Sequence, residues 1–356
     1  MNGSLKITLS RLILFCFFCM LLPSGQIPLK AFAAPDIIYQ ACFGGLSTDR
    51  FHDIAYDGSG YITVGYCNYD SFGNGDLICR SGRGYTDAMI IKYEEDGNIA
   101  WHGNIGGEDF DALQSVIAVD DGYIAVGGSN QNSFGTEDFY NLIGRGDSDA
   151  TIYKISSDTE VLWIRNFGGS GEDIFNAVCE TSDGYVAVGY SAANSFQTGD
   201  WANKSGYGGT DAIIVKFDRN GNVISKERFG GSGDDKFMAV RPDGEYCIAV
   251  GQAGDGSCGT GNLAAETARG RSEALIVRYG CEQLNAIDSE IVGGSGEDIF
   301  NDILITDDKY IACGSAYIHM TEGLYGDGDW SGHVSRGNED GCVVAFSKSL
   351  SIMEKR

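Results

Sequence analysis

From Phe167 to Gly231 the chain reads FGGSGEDIFNAVCETSDGYVAVGYSAANSFQTGDWANKSGYGGTDAIIVKFDRNGNVISKERFGG, and this stretch decides the fold. It opens and closes on Phe-Gly-Gly. The same glycine pair begins at Gly44, Gly106, Gly168, Gly230 and Gly293, at spacings of 62, 62, 62 and 63 residues. A fixed period of that length marks a repeat architecture, in which each unit is too thin to bury its own apolar surface and leans on its neighbours.

Within each unit the pattern predicts four strands. The first follows the glycines, as in Phe175 to Cys179 and Phe300 to Leu304. A tight Asp-Gly turn, such as Asp121-Gly122 or Asp183-Gly184, leads to the second, YIAVGG or YVAVGY. The glycine closing that strand lies 21 residues after the opening one in every unit, at Gly65, Gly127, Gly189, Gly251 and Gly314. Such a fixed glycine signals positive φ, a bulge or a close backbone approach. The third strand is an apolar run (AMIIKY, AIIVKF, ALIVRY) suited to cover on both faces. Turns such as Asp96-Gly97-Asn98 and Asn220-Gly221-Asn222 then introduce a fourth strand, since Asn-Gly and Asp-Gly supply the positive φ of hairpin turns.

Four antiparallel strands repeated in this way give an all-β fold, a β-propeller of four-stranded blades. Five blades are favoured, with a piece of a larger propeller as the alternative. Residues 37–43 (IIYQACF) match the fourth strands IAWHGNI, VLWIRNF and VISKERF, so they are expected to complete the last unit and close the ring over residues 34–356. SIMEKR at 351–356 aligns with the same fourth strand and competes for that place. The long polar loop between strands two and three, with the blade connection, occupies one face of the array. Binding is expected there, because rigid scaffolds carry it on loops.

Composition agrees: glycine supplies 52 of 356 residues, a density helices do not tolerate. Residues 1–33 have the form of an export signal, with basic Lys6 and Arg11, an apolar run from Leu12 to Leu22, and Ala31-Phe32-Ala33 as cleavage site. Removing them, with Lys30, takes the formal charge from −25 to −28. That surface repels nucleic acid and anionic lipid, so neither is expected as a partner, nor is membrane insertion after cleavage. The chain is expected outside the cell, as a monomer, free or associated with the cell surface. Of the nine remaining cysteines, Cys67 and Cys79 bracket the first long loop and are the best bridge candidates. Cys179 and Cys313 replace apolar residues of other units and read as buried small hydrophobes.

Three sets of residues carry possible chemistry. Asp49, Asp111, Asp173, Asp235 and Asp298 recur five residues after the first glycine. A ring of carboxylates could hold Ca²⁺, the one cofactor considered, whereas aspartates bonded to backbone N–H groups would serve the blade connection alone. Residues shared by all blades favour the structural role, because a selective site is built where blades differ. Asp87, Asp149, Asp211, Glu273 and Asp340 precede the third strand, with Lys92, Lys154, Lys216 and Arg278 beyond them as expected ion-pair partners. The loop acids Asp76, Asp138, Asp200 and Asp329 stand beside Leu77, Phe139, Trp201 and Trp330. Phe139, Trp201 and Trp330 could stack on sugar rings while the acids bind hydroxyls, or they could plug the gap between loop and blade. Arg145-Gly146-Asp147 matches an adhesion tripeptide, but the repeat itself explains the arginine and glycine.

The opening Gly-Gly, DGYVAVGY, DAIIVKFDRNGN and the return to FGG, over residues 37–356, resemble the roughly sixty-residue β-propeller repeats of secreted and cell-surface bacterial proteins. The long loops on a rigid scaffold give the leading expectation, a secreted, non-enzymatic binding module that engages a glycan or a protein, with a structural spacer within a larger surface protein as a third reading. Proteins of this kind grouped with endoglucanases supply the alternative, an extracellular carbohydrate hydrolase using loop carboxylates.

Overall fold

The computed structural model describes residues 40–317, 327–333 and 337–355. The export-signal stretch lies outside them. Five four-stranded antiparallel sheets follow one another along the chain, each pairing its strands in sequence order. Sheet 1 comprises β1 (Asp49–Tyr56), β2 (Gly60–Asn68), β3 (Thr86–Glu94) and β4 (Ile99–Ile105). Sheet 2 comprises β5 (Asp111–Val119), β6 (Gly122–Asn130), β7 (Ser148–Ile155) and β8 (Val161–Phe167). Sheet 3 comprises β9 (Asp173–Thr181), β10 (Gly184–Ala192), β11 (Thr210–Asp218) and β12 (Val223–Phe229). Sheet 4 comprises β13 (Lys236–Asp243), β14 (Tyr246–Ala253), β15 (Glu273–Gly280) and β16 (Ala286–Val292). Sheet 5 comprises β17 (Asp298–Ile305), β18 (Lys309–Tyr317), β19 (Glu339–Ser347) and β20 (Ile352–Lys355).

The glycine that closes each second strand sits opposite a bulge. In sheet 3 the register shifts between Val188 and Gly189, and in sheet 1 between Phe51 and Asp53. A Cβ on Gly189 would lie 1.9 Å from the Ile174 carbonyl oxygen, so close backbone approach, rather than positive φ, fixes this residue.

Each sheet presents a back face to the sheet before it and a front face to the next. Ile62, Val64, Ala88 and Ile90 on the front of sheet 1 pack with Leu113, Val116, Tyr123 and Ala125 on the back of sheet 2. The same pattern joins sheets 2 and 3, 3 and 4, and 4 and 5. The third strands β3, β7 and β11 are buried along almost their full length, as their unbroken apolar runs require.

The ends of the array differ from its middle. Phe51 and Ile54 on the back of sheet 1 are 42% and 59% exposed, while their counterparts Phe175 and Val178 are buried. On the front of sheet 5, Val343 is 45% exposed although Ile90, Ile152, Ile214 and Ile276 at that position are buried. Cys313, expected to be buried, is exposed for the same reason: no following sheet covers it among the described residues.

One further expectation falls partly outside the described residues, and another is corrected. The fourth strand of sheet 5 is Ile352–Lys355, with Phe346 opposite Ile352 and Val344 opposite Lys355. Of the stretch 37–43 proposed for that place, residues 37–39 lie outside the described residues and Gln40 to Phe43 form no strand. The disulfide is Cys247–Cys281, with Cα atoms 5.4 Å apart. Cys67 and Cys79 are both free, because Cys67 points into the sheet 1 core while Cys79 lies exposed on the loop. Cys179 is buried as expected.

Candidate functional site

The repeated acids on the long-loop face are bonded within the fold. Asp76, Asp138, Asp200 and Asp329 each accept, through Oδ2, the N–H of the opening glycine of their own unit, at 3.0–3.1 Å. Their own N–H groups bond back to the carbonyls of Gly44, Gly106, Gly168 and Gly293. This two-point clamp ties the long loop to the blade connection. Arginines of the preceding sheet add to it: Arg83 reaches Asp138 at 3.2 Å, Arg145 reaches Asp200 at 3.2 Å and Arg269 reaches Asp329 at 3.3 Å. In the fourth unit Asn262 replaces the aspartate, and the preceding sheet carries Tyr207 where the others carry arginine, so charge is lost from both partners together. Arg145 of the Arg-Gly-Asp tripeptide is thus occupied within the fold.

Phe139, Trp201 and Trp330 are buried, which favours the plug over sugar stacking, the two readings left open for them. Trp201 meets Phe167 edge-on at 5.0 Å and donates its indole N–H to Ser191. Trp330 donates to Asp298 Oδ1 at 2.8 Å. They plug the space between loop and blade.

The five aspartates after the glycine pairs are likewise drawn inward. In each, Oδ2 accepts the N–H of the second glycine: Gly45, Gly107, Gly169, Gly231 or Gly294, at 2.7–2.9 Å. Ser71, Ser133 and Ser195 donate to Asp49, Asp111 and Asp173 as well. The five stand one per sheet, and among the described residues no group of three or more His, Cys, Asp or Glu side chains could hold a metal ion. The expected partners of the strand-three acids also change. Lys92, Lys154 and Lys216 pair with Asp57, Asp121 and Asp183 on the hairpin turns, while Asp87 and Asp149 pair with Arg83 and Arg145.

Burial raises the carboxyl groups of Asp111, Asp173, Asp235 and Asp298. It pushes Asp111 up to about 7 against the bonds from Gly107 and Ser133, with Asp87 nearby adding to the rise. Asp173 and Asp298 are pushed up to about 6 by the same desolvation. The folded chain therefore holds protons that the unfolded chain, with aspartate near 3.8, has released. This contribution to stability is complete below the unfolded value and is lost as pH rises through the folded values. The melting temperature is expected to fall between pH 5 and pH 8. Asp111→Asn, which keeps an oxygen for Gly107 N–H and Ser133, should flatten part of that slope. A level or rising melting profile for the native chain would show that these carboxyls are ionised throughout.

A different group of residues faces outward. Tyr85, Phe110 and Tyr69 are exposed at 64%, 49% and 58%, and lie together at the junction of sheets 1 and 2 on the long-loop face. Tyr69 begins the short 3-10 turn after β2, and its N–H bonds to the Tyr85 carbonyl at 2.9 Å. Tyr85 immediately precedes β3. Phe110 lies in the sheet connection, where Thr86 and Phe110 form a parallel bridge. The Tyr85 and Phe110 rings stack with centroids 5.2 Å apart and planes 13° from parallel. Tyr85 and Tyr69 line a depression of about 530 Å³ together with Asn68, Asp70 and Glu108. A second depression of about 410 Å³ continues past Phe110 to Tyr66, Gln114 and Asn130, sharing Asn68 with the first.

These residues break the repeat. Where sheet 1 has Tyr69, later units have Gln131, Ala193 and Asp255; where it has Tyr85, they have Asp147, Gly209 and Arg271. Phe110 stands where others have Thr48, Glu172, Asp234 and Glu297. Comparing units column by column would have exposed all three. A search for shared residues passes over them.

No family model matches the chain. A regulatory protein of Caulobacter vibrioides, FlaEY, is 25% identical over 212 residues, covering 58% of this chain and 22% of that protein. The chain thus spans less than a quarter of that relative's length. Among solved structures, the extracellular domains of Drosophila semaphorin 1b align over 86% of this chain and 53% of theirs, at 10% identity and a TM-score of 0.41. Pyrococcus horikoshii acylaminoacyl peptidase aligns over 87% of this chain and 39% of its own, at 8% identity and a TM-score of 0.39.

Proposed function

We propose that the five sheets are blades of a β-propeller that acts outside the cell as a non-enzymatic binding module, and that its ligand is a glycan held at the Tyr69–Tyr85–Phe110 surface. The exposed, stacked pair Tyr85 and Phe110, beside Asn68, Asp70 and Glu108, carries this reading. Exposed aromatic side chains gathered in one patch are costly in water and mark binding surfaces. A pyranose offers what this patch lacks, an apolar ring face for a tyrosine and a rim of hydroxyls for amide and carboxylate groups. The Cys247–Cys281 disulfide and the acidic surface support an exported location.

Tyr85→Ala and Phe110→Ala should each weaken glycan binding at least tenfold, a loss of about 1.4 kcal/mol, in affinity electrophoresis or calorimetry against polysaccharides. Asp200→Asn, on the repeated clamp, should leave affinity unchanged. Equal affinity in all three variants would remove the site.

A second reading, an extracellular carbohydrate hydrolase, has one observation in its favour: Asp70 and Glu108 line the same depression. Paired carboxyls can act as general acid and base or nucleophile. Glycan turnover abolished by Asp70→Asn and Glu108→Gln, with binding retained, would establish it. The carboxyls raised toward neutrality, Asp111, Asp173 and Asp298, are buried at sheet connections, and this favours binding over catalysis.

A further inference from the structure

We propose that the Tyr69–Tyr85–Phe110 surface selects glycans of amino sugars with free ammonium groups over neutral glycans, and that the Tyr66 ring receives one such group. This rests on the glycan reading above and narrows it by charge.

The departures from the repeat at this junction add negative charge as well as aromatic rings. Asp70 stands where later units have Asn132, Asn194 and Gly256, and Glu108 where others have Leu46, Ser170, Ser232 and Ser295. Both are exposed, and neither side chain has a hydrogen-bond or ion-pair partner among the described residues. Acids in the other sheet connections are used internally. Glu172 accepts from the Tyr190 hydroxyl, Asp234 accepts from the Thr210 N–H, and Glu297 pairs with Arg271. No Lys, Arg or His lines either depression. Arg83, next to Gly84 in the lining, is held by Asp87, Asp138 and the Asn104 carbonyl. An ammonium-bearing ligand therefore meets two free carboxylates and no competing cation.

Another junction of the same fold already holds an ammonium at the matching place. Between sheets 3 and 4, Lys236 on β13 sets its Nζ 4.2 Å from the centre of the Tyr190 ring. The same two repeat positions between sheets 1 and 2 are Ala112 and Tyr66, and both line the second depression. Ala112 thus leaves open, beside Tyr66, the space that a lysine fills two sheets further on. The remaining junctions pair Gly128 with Ile174 and Gln252 with Ile299, so neither offers an aromatic ring there. A cation over the face of tyrosine is attracted by the ring quadrupole, and carboxylates beside it add Coulomb attraction.

The test is calorimetry on the full chain with two probes, a β-1,4-linked glucosamine oligomer carrying charged amino groups and its fully N-acetylated counterpart. The charged oligomer should bind about tenfold tighter or more. Asp70→Asn with Glu108→Gln should remove most of that preference and keep affinity for the acetylated oligomer. Ala112→Lys, which supplies the chain's own ammonium beside Tyr66, should do the same. Asp158→Asn with Asp307→Asn removes as much charge from exposed turns elsewhere and should leave the preference intact. If both double variants reduce the preference equally, general attraction to an acidic surface is enough and the proposal is overturned. Equal affinity for the two oligomers, lost from both in Tyr85→Ala, overturns the charge selection and leaves the glycan site standing. If Tyr85→Ala changes neither affinity, the glycan site itself fails and the selection with it.

Discussion

Trp201→Ala is expected to lower the free energy of unfolding by about 3–5 kcal/mol, the range for removing a large buried aromatic side chain. The indole is fully buried against Phe167 and Phe196, and its N–H bonds to Ser191, so truncation leaves both a cavity and an unpaired hydroxyl. Urea denaturation followed by circular dichroism measures the loss. Glycan affinity at temperatures where the variant remains folded should equal that of the native chain. A variant with native stability and lost affinity would return Trp201 to the ligand.

Trp201 also shows where the sequence was legible and where it was not. The period alone located four strands per unit, the bulge glycines and the loop face. It placed Trp201 beside Asp200 on that loop without saying which way the ring turns. Burial depends on the neighbouring sheet, and a one-dimensional pattern carries no record of it. The same limit explains the cysteines: Cys67 and Cys79 are close along the chain, but one side chain enters the core and the other faces water. It explains Lys92 too, which bonds to Asp57, 35 residues away across a hairpin, and not to Asp87. The Tyr69–Tyr85–Phe110 surface was hidden differently. Its residues are departures from the repeat, and attention to what the units share discards them.

The second large effect separates the middle of the array from its end. Ile276→Ala on the front of sheet 4 should cost about 2–5 kcal/mol, because the side chain is fully buried against sheet 5. Val343→Ala, at the same repeat position in sheet 5, should change the stability of the dilute chain by no more than about 0.5 kcal/mol, as exposed positions do. Paired denaturation curves give both values. Similar losses at the two positions would mean that the front of sheet 5 is covered as the other fronts are.

The central claim is that binding resides in the residues by which sheets 1 and 2 differ from the rest. Amide hydrogen exchange with and without a saturating glycan tests it most directly. The account predicts slowed exchange at 68–70, 84–86 and 108–110, with the loops at 137–140, 199–202 and 328–331 unchanged. Protection spread over those repeated loops, with none at 84–86 and 108–110, would contradict it.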